Sequence, residues 1–163
     1  MFDYTQERDN LVPAGTYEAT ATCSGVKMSQ FGEEIIGLTW EIRKDVQQAC
    51  QGRLIFDDIR KDKNNPDEFN QQKIYEIIHG GQDHNDKNAK FQFETYDEIA
   101  QYINGMNCRI DVDVSTSNSG KKFNRIKFGG YHPSQAKGQS LPDGVVAVGN
   151  ADGLTDGSDE LPF

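Results

Sequence analysis

Cys108-Arg109-Ile110-Asp111-Val112-Asp113-Val114-Ser115, the cluster Ser117-Asn118-Ser119-Gly120, and Lys121-Lys122-Phe123-Asn124-Arg125-Ile126-Lys127-Phe128 together decide the fold. Cys108, Ile110, Val112 and Val114 alternate with polar neighbours, the period of a half-buried strand. The Ser/Asn/Gly cluster is turn chemistry, so residues 121–128 return as the second strand of a hairpin. This return to period two is informative because helical spacing precedes it. After Pro66-Asp67-Glu68, the residues Phe69, Lys73, Ile74, Ile77 and Ile78 recur at helical intervals until Gly80-Gly81 stops them. Thr95 with Glu98 three residues on predicts a capping box before Ile99, Tyr102 and Ile103, ending at Gly105.

Three strand signals lie upstream. Tyr17, Ala19, Ala21 and Cys23 alternate with threonines and Glu18 over Gly15–Lys27. Met28-Ser29-Gln30-Phe31-Gly32 reads as a turn. Ile36, Leu38, Trp40 and Ile42 then share a phase, which makes Trp40 a core residue. Arg53–Ile59 reads as a third strand with Leu54 and Phe56 as its apolar phase. Three strands, helical material and two strands is the order of an OB-fold. The expected fold is therefore mainly β: a five-stranded OB-type barrel with a helical insertion between strands three and four.

After Tyr131-His132-Pro133 the composition shifts to Gly, Ser, Ala, Asp and Pro, with one short apolar run at Val145–Val148. Such a segment buries too little apolar surface to offset its ordering entropy. The expected organisation is a domain over residues 1–132 and a flexible acidic tail over 133–163, with Met1–Leu11 as a loose arm. The length of 163 residues suits one domain, and 35% hydrophobic residues is low for a chain packed throughout.

The net charge of −9 runs against phosphate binding. Its distribution weakens that objection. Residues 1–132 carry 21 acidic against 16 basic side chains, and the tail carries five acids against Lys137 alone. Arg53, Arg60, Lys61 and Lys63 lie on or after strand three, while Lys121, Lys122, Arg125 and Lys127 crowd strand five. Phe123 shares a phase with Lys121, Arg125 and Lys127, the pattern of a base-stacking platform flanked by phosphate-holding cations. Ile126 and Phe128 take the opposite phase, toward the core. Phe31, beside Lys27, sits in the loop between strands one and two, where OB-folds contact oligonucleotides.

Other chemistry is weakly represented. Cys23, Cys50 and Cys108 form no CxxC pair, and their odd number argues against a disulfide framework. His79, Asp83 and His84 lack metal-ligand spacing, and Asp83–Lys87 lacks the glycine and terminal glutamate of a calcium loop. Asp111 and Asp113, the nearest carboxylate pair for a nuclease metal, read as surface residues of strand four. No hydrolase or nucleotide-binding motif is present, so neither catalysis nor a cofactor is expected. No apolar run approaches a membrane span and no targeting signal opens the chain, which points to a reduced, cytoplasmic protein.

The chain ends Asp159-Glu160-Leu161-Pro162-Phe163. This ending resembles the acidic C-terminal tip of bacterial and phage single-stranded DNA-binding proteins. Val12–Tyr17, Gly32–Trp40, Gly52-Arg53 and Phe123–Ile126 are similar to a family of small phage proteins encoded among replication and recombination functions. The resemblance implies an OB-fold, binding of single-stranded DNA without strong sequence preference, and recruitment of replication or recombination proteins through Asp159–Phe163. The alternatives are an OB-type protein-interaction module without DNA binding, and a nuclease.

Overall fold

The computed structural model describes residues 11–136. Six antiparallel strands form one curved sheet: β1 Gly15–Met28, β2 Glu34–Ile42, β3 Leu54–Phe56, β4 Ile59–Arg60, β5 Asn107–Thr116 and β6 Lys122–Pro133. The spatial order is β3-β2-β1-β5-β6, with β4 also paired to β2. Among the described residues no backbone ladder joins β3 to β6, so the sheet remains open. Its two edges nevertheless approach each other.

The long β1 makes this curvature possible. It pairs with β2 from Ala19 to Met28 and with β5 from Gly15 to Thr20, and its register shifts between Cys23 and Gly25. Gly25 takes a φ of +84°, a conformation that suits a bulge and tightens the local bend.

The inner face is a single apolar cluster. Ala19, Ile36, Trp40, Ile42, Ile55, Ile59, Ile110 and Val112 are buried. Trp40 is wholly inside, as its phase requires. Cys23 and Cys108 are buried free thiols, and burial pushes the Cys108 thiol up to about 12, which keeps it inert.

Three sequence expectations are corrected here. Arg53–Ile59 is not one strand with Leu54 and Phe56 inward. It divides into β3 and β4 at Asp57-Asp58, with Ile55 and Ile59 buried and Leu54 and Phe56 exposed. The reason is register: Ile55 lies opposite Trp40 and Ile59 opposite Ile36, and directly paired residues share a face. Phe128 is likewise 83% exposed rather than in the core. The β5–β6 register shifts between Ile110 and Val112, and Tyr131 takes the inward position opposite Ile110. Last, the helix does not open at Pro66. It begins at Gln71 behind an Asn70 cap and becomes a π-helical turn over Glu76–Gly80.

We label Gln71–Tyr75 α1 and Tyr96–Ile103 α2. The α2 cap matches its sequence signature: Thr95 accepts a 3.0 Å bond from the Glu98 amide, and Glu98 in turn accepts from the Glu94 amide at 2.6 Å. The π-helical turn reaches β6 because Gly80 has no side chain. A Cβ there would lie 2.5 Å from the Tyr131 carbonyl oxygen.

The packed body extends to Ala136. Glu18, buried on β1, accepts from the Ser134 hydroxyl at 2.6 Å and the Gln135 amide at 3.0 Å. A buried carboxylate needs such donors. At the other end, Asn124 exchanges two bonds with the Val12 backbone, at 2.9 and 2.7 Å, and ties the start of the described chain to β6.

Candidate functional site

Around the approaching edges β3 and β6 lie three neighbouring depressions, each sharing wall residues with the next, which together outline a groove. The first, about 410 Å³, is lined by Lys27, Met28, Phe31, Ile35 and Arg60, among others. Arg60 and Asp58 also line the second, about 480 Å³, whose walls include Leu54, Phe56, Phe123 and Arg125. Lys73 and Arg125 continue into the third, about 300 Å³, with Lys127, Phe128 and Tyr131.

Each wall residue is placed by local structure. Phe31 stands at the tip of a turn closed by Ser29 N–H to the Glu33 carbonyl (2.7 Å) and Gly32 N–H to the Ser29 carbonyl (3.0 Å). Gly32, at φ +81°, supplies a left-handed position in that turn. Phe56 points outward because Ile55 must point inward. Phe123 lies opposite Ser115 on the hairpin, and Phe128 is turned out beside the β6 register shift. Phe31, Phe56, Phe123 and Phe128 are 78%, 72%, 44% and 83% exposed. Four exposed rings along one groove exceed what scattered surface apolarity requires.

The charges are mixed but unevenly committed. Among the described residues, Lys27, Arg60, Arg125 and Lys127 have no acidic group within 4.0 Å. Of the carboxylates nearby, Glu33 in the wall of the first depression has no ion-pair partner among the described residues, whereas the others accept hydrogen bonds. Asp57 accepts from the Trp40 indole N–H at 3.0 Å, from Tyr131 at 2.5 Å and from Lys73. Asp58 accepts from the Leu38 amide at 3.2 Å, and Glu76 from the Gly129 amide at 2.8 Å. Four unpaired cations against the Glu33 carboxylate leave the free valence of the groove mainly cationic and aromatic, a combination that can hold phosphates and stack planar rings.

Residues 2–142 match the profile of a family described as "Protein of unknown function (DUF669)". The chain belongs to that family. No curated protein matches it.

Within this DUF669 member the residues singled out from the sequence divide. Lys27, Phe31, Arg60, Phe123, Arg125 and Lys127 come together in the groove. Lys61 does not line it: its ammonium pairs with Glu34 at 3.1 Å and sits 4.4 Å from the centroid of the Phe69 ring. Lys63 lies in the loop after β4, and Lys121 and Lys122 sit at the β5–β6 hairpin. The Arg53 backbone closes the turn between β2 and β3, bonding to Ile42 and Cys50. None of these four is among the groove-lining residues. Leu54, Phe56, Lys73 and Phe128 line the groove without having been singled out from the sequence. The two β-branched residues Ile55 and Ile59, sharing the phase opposite Phe56, were the signal available in the sequence for an outward Phe56. Asp159, Glu160, Leu161, Pro162 and Phe163 lie outside the described residues.

Asp111 accepts from the Thr16 hydroxyl at 2.8 Å and pairs with His132 at 2.8 Å. Among the described residues no three metal-competent side chains converge, and no helix is long and apolar enough to cross a membrane. His79 stacks on Tyr75 at 4.2 Å between ring centroids, and His84 bonds to the His79 carbonyl at 2.7 Å.

Proposed function

We propose that this chain is a non-catalytic single-stranded DNA-binding protein whose ligand lies along the groove between β3 and β6. The observation that carries the reading is the sequence of outward phenylalanines and uncommitted cations along three adjoining depressions: Phe31 and Arg60, Phe56 and Phe123, Arg125, then Lys127 and Phe128. Aromatic rings stack any base, and cations beside them follow the backbone, so such a surface binds single strands without strong sequence preference. A duplex keeps its bases stacked on one another and cannot offer them.

The fold supports the same reading. Taking β3 and β4 as one interrupted strand, the order is 3-2-1-4-5 with the outer two in contact, consistent with a partly open OB barrel. The loop carrying Phe31 lies where OB-folds contact oligonucleotides. The role that follows is coating of single strands during replication or recombination, with the acidic Asp159–Phe163 ending recruiting partner proteins.

The test is a gel shift with oligo-dT, a duplex control and magnesium. Retardation of the single strand alone, without degradation, supports the reading. Absence of binding favours a protein-interaction module, and cleavage favours a nuclease. Affinity should also fall with salt, by about 0.7 log units per phosphate contact per log unit of salt. Deleting residues 153–163 should abolish partner capture while leaving oligo-dT binding in place; retention of every partner defeats the tail's role.

A further inference from the structure

Lys73 occupies the junction of the second and third depressions and lines both. Its side chain is 26% exposed, and its stem leaves α1 toward the carboxylate of Asp57, which is 7% exposed. The ammonium donates to Asp57 and, at 2.7 Å, to the Asp58 carbonyl. An ammonium has three donors. Among the described residues the third has no partner, and Lys73 lies in the groove wall with Arg125 on the opposite edge.

Asp57 does not depend on Lys73 alone. Trp40 and Tyr131 donate to its other oxygen, and burial of Tyr131 beside Asp57 raises the phenol well above its ordinary pKa, so it stays a donor. The carboxylate is therefore fixed from β2 and β6, and it fixes the ammonium in turn. A lysine on an exposed surface must lose side-chain entropy to hold a phosphate. This one is already ordered.

We propose that Lys73 is the central phosphate-binding residue of the groove, pre-positioned by Asp57 to donate its third N–H to the backbone of a single strand crossing from Phe123 to Phe128. The inference rests on the single-strand reading and adds to it a residue from the helical insertion. It also links binding to Trp40: a phosphate drawing on the ammonium weakens its hold on Asp57, and the indole shares that carboxylate. Trp40 is wholly buried, so its emission would report the event indirectly.

The full chain, Lys73→Gln and Lys73→Arg are titrated with oligo-dT at several salt concentrations, following Trp40 emission. Lys73→Gln should lower the salt slope by about 0.7, the loss of one phosphate contact, and abolish the Trp40 response at saturating oligonucleotide. Lys73→Arg, which keeps the charge, should retain the slope. A Lys73→Gln protein that binds with the unsubstituted slope and emission change overturns the inference, whatever its melting temperature. If the unsubstituted chain itself fails to bind, the single-strand reading falls and this role falls with it; if it binds and only the Lys73 expectation fails, the reading stands without this residue.

Discussion

The Tyr131 hydroxyl, on β6, donates a 2.5 Å hydrogen bond to Asp57, the residue that follows β3. This bond joins the two edges of an open sheet. Tyr131 is 4% exposed and its ring lies 5.9 Å from that of Trp40, so the contact continues the core into the groove floor. Lys73 bonds to Asp57 and to the Asp58 carbonyl and, among the described residues, not to β6, so the separation of Phe56 and Phe123 rests on the Tyr131 bond and on packing.

Tyr131→Phe should cost about 1.5–3 kcal/mol, the usual range for a hydrogen bond to a charged group. The ring stays and the cavity is unchanged, so the loss isolates the hydroxyl. Chemical denaturation measures it. An unaltered midpoint would mean that the edges are held by packing alone.

Phe56→Ala and Phe123→Ala should each weaken oligo-dT binding by about 1–3 kcal/mol for every base that stacks on the ring. Phe56, at 72% exposure, has little burial to lose, so its melting temperature should stay near that of the parent. Lys61→Ala is the contrasting variant: its partners are Glu34 and Phe69, and binding should be unaffected. Equal affinity losses for Phe56→Ala and Lys61→Ala would show that the groove is not the site.

Acid stability should depend on Asp45. The Arg43 guanidinium donates to both Asp45 oxygens, at 2.8 and 2.5 Å, and holds the carboxyl below its ordinary value. In the window between the folded and unfolded pKa the unfolded chain binds the proton more readily, so folding gains as pH rises through it. The contribution is complete above the unfolded value of about 3.9 and is lost as pH falls through the lower folded one. Asp45→Asn should therefore melt below the parent at pH 7 and converge with it in strong acid. Parallel melting curves at all pH values would contradict this.

Gly80→Ala should destabilise the fold by about 1–3 kcal/mol, the usual cost of overpacking. The atom a new methyl meets is the Tyr131 backbone carbonyl, which cannot swing aside as a side chain can. Circular dichroism melts measure the effect. A neutral result would mean that the π-helical turn can shift away from β6.

Local chemistry determined much of this protein. Alternation placed β1, β2 and β5, the Thr95–Glu98 pair marked the start of α2, and the phase of Trp40 put it inside, because these signals depend on neighbours within a few residues. It also named six of the groove residues, since Arg60, Phe123, Arg125 and their companions stand out as cations and aromatics on strands or loops. What only tertiary structure decided is which side short apolar runs face. Leu54-Ile55-Phe56 is apolar on both phases, and its orientation is set by Ile55 lying opposite Trp40. Phe128 fits an inward phase until the register shift gives that position to Tyr131. Lys73 reads as one more polar residue of a helix until Asp57, sixteen residues earlier, closes on it. Periodicity reports the faces of one strand; pairing between strands distant in sequence decides which face is buried where both are apolar.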